Sequence, residues 1–231
     1  MTPWVKSRAV PLPGEYATEA AGLRWLGDAG VPVPEVLEAG DERLVLERLD
    51  GGTTDPEQLG RTVARLHLAG APAFGALPPG APGPYRIAEV EFPAGESDDW
   101  PSFYASHRLL PLASEARGVE DVCSRIDDLC GPAEPPARIH GDLWGGNVMG
   151  NHLIDPCACG GHREVDLAML RLFGWPGDRF LAAYQEVTPL ADGWQDRVDL
   201  YQLLPLLVHA RLFGGGYAAQ AERAARRYAR G

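Results

Sequence analysis

The stretch His140-Gly141-Asp142-Leu143-Trp144-Gly145-Gly146-Asn147, followed by Leu153-Ile154-Asp155-Pro156, gathers carboxylates, an amide and an imidazole on one short glycine-containing loop. That set suits phosphoryl transfer from a metal-bound nucleotide. One carboxylate orients and deprotonates a hydroxyl, while an amide oxygen and a second carboxylate hold Mg²⁺. Asp142 is then the base, and Asn147 and Asp155 are the metal ligands. A lone His-Gly-Asp would favour an Asp that caps a turn. The joint presence of Asn147 and Asp155 favours chemistry.

Two neighbouring residues are expected to support rather than react. The ring of His140 can hydrogen-bond the backbone near Asp155 and so join the halves of the metal site. Asp166, in Gly160-Gly161-His162-Arg163-Glu164-Val165-Asp166, is expected to be buried at a helix start, accepting backbone hydrogen bonds from the catalytic loop. His162, Arg163 and Glu164 are candidates for the cleft wall, with His162 as a substrate contact. Cys157-Ala158-Cys159 with His162 has only a faint zinc-like spacing, and no second pair completes it. Partly buried free thiols are the simpler expectation. Cys123 and Cys130 are expected on one helix face, too far apart along the axis for a disulfide.

The elements that position these residues follow from periodicity. A short strand is expected around Trp4 to Lys6 and a helix from Tyr16 to Asp28, with Ala20, Leu23 and Leu26 at helical spacing. A hairpin is expected from Glu35 to Leu37 and Arg43 to Leu49, turning at Gly40-Asp41. Asp55-Pro56 opens a helix with a capping residue and a Pro in the first turn. Residues Ala71 to Ser97, rich in Pro and Gly, are expected to be a long loop. Helices are expected over Trp100 to Arg117 and Val119 to Leu129. Short strands at Arg138 to His140, Val148 to Met149 and His152 to Ile154 would carry the loop. The rest is expected to be helical: Val165 to Phe173, Arg179 to Val187, Gln195 to Phe213 with a kink at Pro205, and Ala218 to Ala229.

Composition excludes several alternatives. The chain has 231 residues, 45% of them hydrophobic, and a net charge of −11 with no basic run, which argues against nucleic acid as a partner. No apolar run is long enough for a membrane span. Four cysteines without a signal sequence ahead of them point to a reducing cytoplasm.

The Asp-x-x-x-x-Asn interval resembles the catalytic loop of protein kinases, with Asp155 standing where their metal-binding Asp stands. Gly141 replaces the Arg of His-Arg-Asp, and no Phe-Gly follows Asp155, so the likeness turns towards small-molecule kinases. His-Gly-Asp-Leu resembles the aminoglycoside and choline kinase superfamily. Trp144, the Gly160 to Met169 block and Asp99-Trp100-Pro101-Ser102-Phe103-Tyr104-Ala105 resemble the fructosamine (ketosamine) kinase family. Val5-Lys6 and Glu19 to Leu23 are similar to that family's nucleotide-lobe Lys and helix Glu.

The resemblance implies an α+β, protein-kinase-like bilobal fold. A small sheet-plus-helix lobe would span residues 1–50, a linker 51–54, and a larger, mostly helical lobe 55–231. It implies ATP and Mg²⁺ as cofactors, Lys6 held by Glu19 against the nucleotide phosphates, and backbone groups of Glu47, Arg48 and Leu49 against adenine. Trp144 would meet the sugar, and the reaction would be phosphorylation at O3 of a sugar–amine adduct, free or on protein lysines, allowing deglycation. An aminoglycoside or other small-alcohol kinase, or a non-catalytic remnant, remain as alternatives. Only residues 1–5 precede Lys6, too few for the two strands and phosphate-covering loop of the kinase fold. The expectation is that the phosphates lack that cover and that ATP is held weakly.

Overall fold

The computed structural model describes residues 2–174 and 176–228. Met1 and residues 229–231, at the ends of the two expected lobes, lie outside them, and so does the last residue of the helix expected at Ala218 to Ala229.

The small lobe is built from β1 (Trp4–Ser7), α1 (Glu15–Asp28), β2 (Val36–Ala39) and β3 (Arg43–Leu46). The strands form an antiparallel sheet in the order β1-β3-β2. Leu44 and Leu46 of β3 bury against Tyr16, Ala20 and Leu23 of α1. In β1, Lys6 pairs directly with Leu44. Cross-strand partners share a face, so Lys6 points to the helix side of the sheet, towards Glu19. Glu19 and Leu23 are one helical turn apart, so the helix that buries Leu23 on the sheet also aims Glu19 inward.

The larger lobe begins with α2 (Pro56–Leu68), whose first amides are capped by the Asp55 carboxylate accepting from Glu57 N and Gln58 N. Segment 71–97, expected to be a loop, contains a small hairpin of β4 (Arg86–Ile87) and β5 (Val90–Glu91). Phe74, Tyr85, Ile87, Val90 and Phe92 anchor the segment in the main core. Strands this short carry no periodicity, which is why the apolar residues looked scattered.

The single helix expected from Trp100 to Arg117 is divided. Helix α3 (Trp100–Tyr104) widens into a π-helical stretch at Ala105–Leu109 and then tightens to a 3₁₀ stretch at Leu110–Glu115. Pro111 has no N–H to give and crowds the preceding turn, so an α-helix cannot pass through it unaltered. The next expected helix is likewise two pieces, α4 (Val119–Cys123) and α5 (Ile126–Leu129).

The site-bearing strands are β6 (Ala137–Ile139), β7 (Val148–Met149), β8 (His152–Leu153) and β9 (Cys159–Gly161). β6 pairs with β9 and β7 with β8. Strand β9 was not expected from the sequence, because its glycines argue against a strand. They are there for clearance: a Cβ at Gly160 would lie 2.0 Å from Ala73 O, and one at Gly161 2.4 Å from Ile139 Cδ1. Helices α6 (Glu164–Phe173), α7 (Asp178–Val187), α8 (Trp194–Phe213) and α9 (Gly216–Arg226) complete the lobe, with α8 running through Pro205. Their core joins Trp100, Phe103 and Tyr104 to Leu200, Tyr201 and Leu204. No helix among the described residues is long and apolar enough to cross a membrane.

Helices α2 and α7 approach closely at Gly60, where an added Cβ would sit 2.3 Å from Phe180 O and 3.1 Å from Tyr184 N. Gly60→Ala is therefore expected to lower the unfolding free energy by about 1–3 kcal/mol in urea denaturation, the usual scale for overpacking. At Gly216, where a Cβ would meet nothing within 4 Å, the same change should cost nothing.

Candidate active site

The catalytic loop is shaped from below by one buried carboxylate. Asp166, fully buried in the first turn of α6, accepts from His140 N at 2.7 Å and Gly141 N at 2.9 Å. His67 of α2 stands 3.2 Å from the same carboxylate, and its other ring nitrogen meets the Tyr184 hydroxyl at 2.8 Å. Burial alone would push Asp166 up, but His67, His140 and the backbone donors outweigh it and hold it below the usual carboxylate range. His140 in turn bonds Ile154 O through Nε2 at 2.9 Å, tying the loop to the residue before Asp155.

Gly141 has φ +82°, and a Cβ there would lie 2.1 Å from Cys157 O. An Arg at that position would clash with backbone and sit in the left-handed region, which explains the departure from His-Arg-Asp. Beyond it, Asn147 Nδ2 donates to Asp142 Oδ2 at 3.0 Å and to Asp142 O at 2.8 Å. The amide is thereby oriented, and its Oδ1 is not used in that contact. Asp142 is raised above its usual range, chiefly by burial, with His140 and Asn147 pulling it back. Asp155 takes φ +53°, an uncommon conformation for a residue with a side chain, and its carboxylate is half exposed.

These residues meet the small lobe across a cleft of about 240 Å³. Lys6 Nζ lies 2.6 Å from Glu19 Oε2 and 3.3 Å from Asp155 Oδ1, so one ammonium bridges the two lobes. Burial opposes the charge on Lys6, but Glu19 and Asp155 overcome it and raise its pKa. Thr18, Glu15, Tyr85, Arg86, Ala88 and Cys157 also line this cleft. Thr18 Oγ1 and Glu19 Oε1, both buried, have no hydrogen-bond partner within the protein. Buried polar atoms are rarely left so, and these two lie beside the cleft among the described residues.

Not every expected site residue is brought to the cleft. Trp144 stands outside its lining, 38% exposed, with its ring over Gly146 and edge-on to Phe173 at 6.1 Å. His162 departs from the expectation of a substrate contact. It is 2% exposed, stacked on Tyr201 at 5.2 Å and tilted against Trp100 at 5.7 Å, with Glu134 beneath it at 3.7 Å. The strand β9 that precedes it lies inside the lobe, so its side chain enters the core instead of the cleft. Burial pushes its pKa down to about 4, which keeps the ring neutral. His162 does form a cluster with Glu134 and Glu164, but Arg163 and Arg197 already pair with those carboxylates.

Glu47, Arg48 and Leu49 follow β3 without strand structure, with Glu47 and Arg48 exposed. Cys123, Cys130, Cys157 and Cys159 are free thiols. Burial raises all of them, Cys123 to about 11 and Cys130 to about 12. The sequence reading overlooked His67 and the hairpin residues Tyr85 and Arg86. His67 carried a signal, a lone imidazole beside the apolar residues Val63, Ala64, Leu66 and Leu68. Arg86 carried none.

Comparison with known proteins identifies the family. A family model described as fructosamine kinase matches residues 4–230. A "probable ketoamine kinase" of Thermus thermophilus is 38% identical over 221 residues, covering 92% of this chain and 82% of that protein. The chloroplastic protein-ribulosamine 3-kinase of Arabidopsis thaliana is 31% identical over 242 residues, covering 94% and 73%. Among solved structures, a fructosamine-3-kinase homologue from Thermobifida fusca superposes with a TM-score of 0.88 at 43% identity, covering 96% of this chain and 84% of that one. A macrolide 2′-phosphotransferase of Brachybacterium faecium, at 19% identity and TM-score 0.59 with coverage of 96% and 83%, shares the kinase-like fold. The chain belongs to the fructosamine kinase family, phosphotransferases that act on a sugar hydroxyl.

Proposed function

We propose that the chain transfers the γ-phosphoryl group of ATP to the O3 hydroxyl of a ketosamine, the adduct of a sugar with an amine. The observation that carries this reading is the convergence of Lys6, Glu19, Asp142 and Asp155 on one cleft, with Asn147 oriented by Asp142. The ribulosamine 3-kinase among its relatives supports the position of attack. The four free thiols fit a cytoplasmic setting, and residues 51–54 are proposed as the connection between the lobes.

In this mechanism Asp142 accepts the proton of the attacking hydroxyl. The new O–P bond forms as the bond to the β–γ bridging oxygen breaks, and that electron pair leaves with ADP. Asn147 holds Asp142 in place through two hydrogen bonds, so the base does not have to search for its geometry. Lys6, steadied by Glu19, meets the nucleotide phosphates, and backbone groups of Glu47 to Leu49 meet adenine. The carboxylate of Asp155 and the amide oxygen of Asn147 are hard oxygen donors of the kind Mg²⁺ takes. Mg²⁺ held there would offset the phosphate charge. Trp144, exposed beside the loop, offers a flat face to the part of the substrate that projects from the cleft.

Incubation with ATP and fructose-lysine or ribose-lysine, followed by ADP release, tests the activity directly. Asp142→Asn should retain Mg-nucleotide binding yet cut turnover at least about a hundredfold, the scale for losing a positioned base. Unchanged turnover would remove Asp142 from the mechanism. Asp155→Ala should instead abolish metal-dependent ATP binding in a calorimetric titration. Identical behaviour of the two variants would mean their roles are not distinct.

The base works only when ionised, and burial raises its pKa. The rate of the wild-type chain should therefore fall as pH drops through a value above the normal carboxylate range, with no matching loss of ATP affinity. An acid limb at an ordinary carboxylate pKa would contradict the environment assigned to Asp142.

A further inference from the structure

Two basic side chains, Lys6 and Arg86, line the cleft, and only the first has a role in the mechanism above. Arg86 stands in β4, flanked by residues that fix where it sits. The Tyr85 hydroxyl would lie 3.2 Å from a Cβ at Gly141, so that side chain packs on the catalytic loop. Ile87 lines a small apolar recess with Gly141, Asp142 and Met169. The hairpin is thus seated beside Asp142, the proposed base.

Arg86 is also held. Its side chain is 15% exposed; Nη1 donates to Pro13 O at 2.9 Å and Nη2 to Glu91 Oε2 at 2.9 Å. A second link ties hairpin to small lobe, where Arg8 pairs with Glu89. Two of the five guanidinium N–H groups are used in these contacts, leaving donors for the cleft. The acidic groups around it are otherwise engaged: Glu19 and Asp155 with Lys6, Glu15 with Leu12 N and Arg8, Asp142 with Asn147. A planar cation so fixed, at the point where phosphoryl oxygens gather charge, matches their geometry better than a mobile lysine would.

We propose that Arg86 contacts the transferring γ-phosphoryl group and stabilises the charge on its oxygens as the bond to ADP breaks. The inference rests on the kinase function proposed above. Arg86 keeps its protons throughout; the hydroxyl proton goes to Asp142 and the electron pair to ADP.

The test compares MgATP with MgADP, which lacks the contacted group, by calorimetry on the wild type, Arg86→Gln, Arg86→Lys and Glu91→Gln, with melting curves for each. Arg86→Gln should weaken ATP by about tenfold or more, as for a lost charge-assisted hydrogen bond, and leave ADP within about twofold. Its turnover should fall by at least about a hundredfold. Glu91→Gln, which releases the ion pair but keeps the guanidinium, should retain the ATP-to-ADP preference. An unchanged preference in Arg86→Gln overturns the proposal. So does an equal loss for both nucleotides shared by Glu91→Gln, which would make Arg86 a strap between the lobes. A raised KM confined to carboxylate-bearing acceptors, with the nucleotide preference intact, would assign Arg86 to the acceptor and likewise overturn it. If Arg86→Gln melts below the assay temperature, Arg86→Lys carries the same comparison, because an ammonium cannot reproduce the fork. If the wild type binds neither nucleotide, the kinase function itself fails, an outcome distinct from the others.

Discussion

The carboxylate of Asp166 is the point on which the active site hangs. It is fully buried, and an isolated buried charge would cost several kcal/mol. Here the cost is offset by two backbone N–H donors from the catalytic loop and by the ring of His67. The direction of its pKa, lowered in spite of burial, says the donors win. The sign of the linkage follows: a depressed carboxylate stabilises the fold above its unfolded pKa, and that contribution is lost as pH falls through the folded value. Because its donors are the amides of His140 and Gly141, whatever weakens Asp166 also loosens the backbone that presents Asp142. Stability and catalytic geometry are therefore coupled at this residue.

A second constraint is steric. Gly141 passes the carbonyl of Cys157 at a distance no side chain would tolerate, and Gly160 does the same against Ala73. These approaches let the residues just before β9 lie against the loop, and the stretch around Ala73 lie against β9. Asp155 has no such excuse, since it carries a side chain at φ +53°. Such conformations cost of order 1–3 kcal/mol and persist where surrounding structure over-determines them. The bonds from Ile154 O to His140 and from Ile154 N to Asn147 O supply that determination.

The pairing of Lys6 with Glu19 was legible because two independent elements had to supply opposite charges, and the contact of His140 beside Asp155 because the loop and the strand end that follows it had to be joined. Asp166 was legible as a support for the same reason: a carboxylate in an apolar helix needs donors, and the loop has them. The burial of His162 was not foreseen, because adjacency in sequence does not say which way a side chain just after β9 turns. Whether it enters the cleft or the core depends on packing with Trp100 and Tyr201, which come from distant parts of the chain. The division of the helix after Trp100 was not foreseen: Pro111 stands at the change from a wide turn to a tight one, yet α8 passes through Pro205 unbroken, so the outcome depends on the core each helix must fit. The hairpin around Arg86 was illegible in principle, since two-residue strands leave no period to detect.

In the cleft two carboxylates compete for the one ammonium that joins the lobes. Glu19 and Asp155 share a single ammonium, and one oxygen of Glu19 is buried without a partner. Within the protein alone this is an excess of negative charge in a partly dehydrated space, which is costly. A cation held by Asp155 would lower that cost and free Lys6 for an anionic group, so that a ligand carrying both would join the lobes in place of one salt bridge. The Lys6–Asp155 contact at 3.3 Å is longer than Lys6–Glu19 at 2.6 Å, so the tie within the small lobe is the tighter and the one across the lobes the looser.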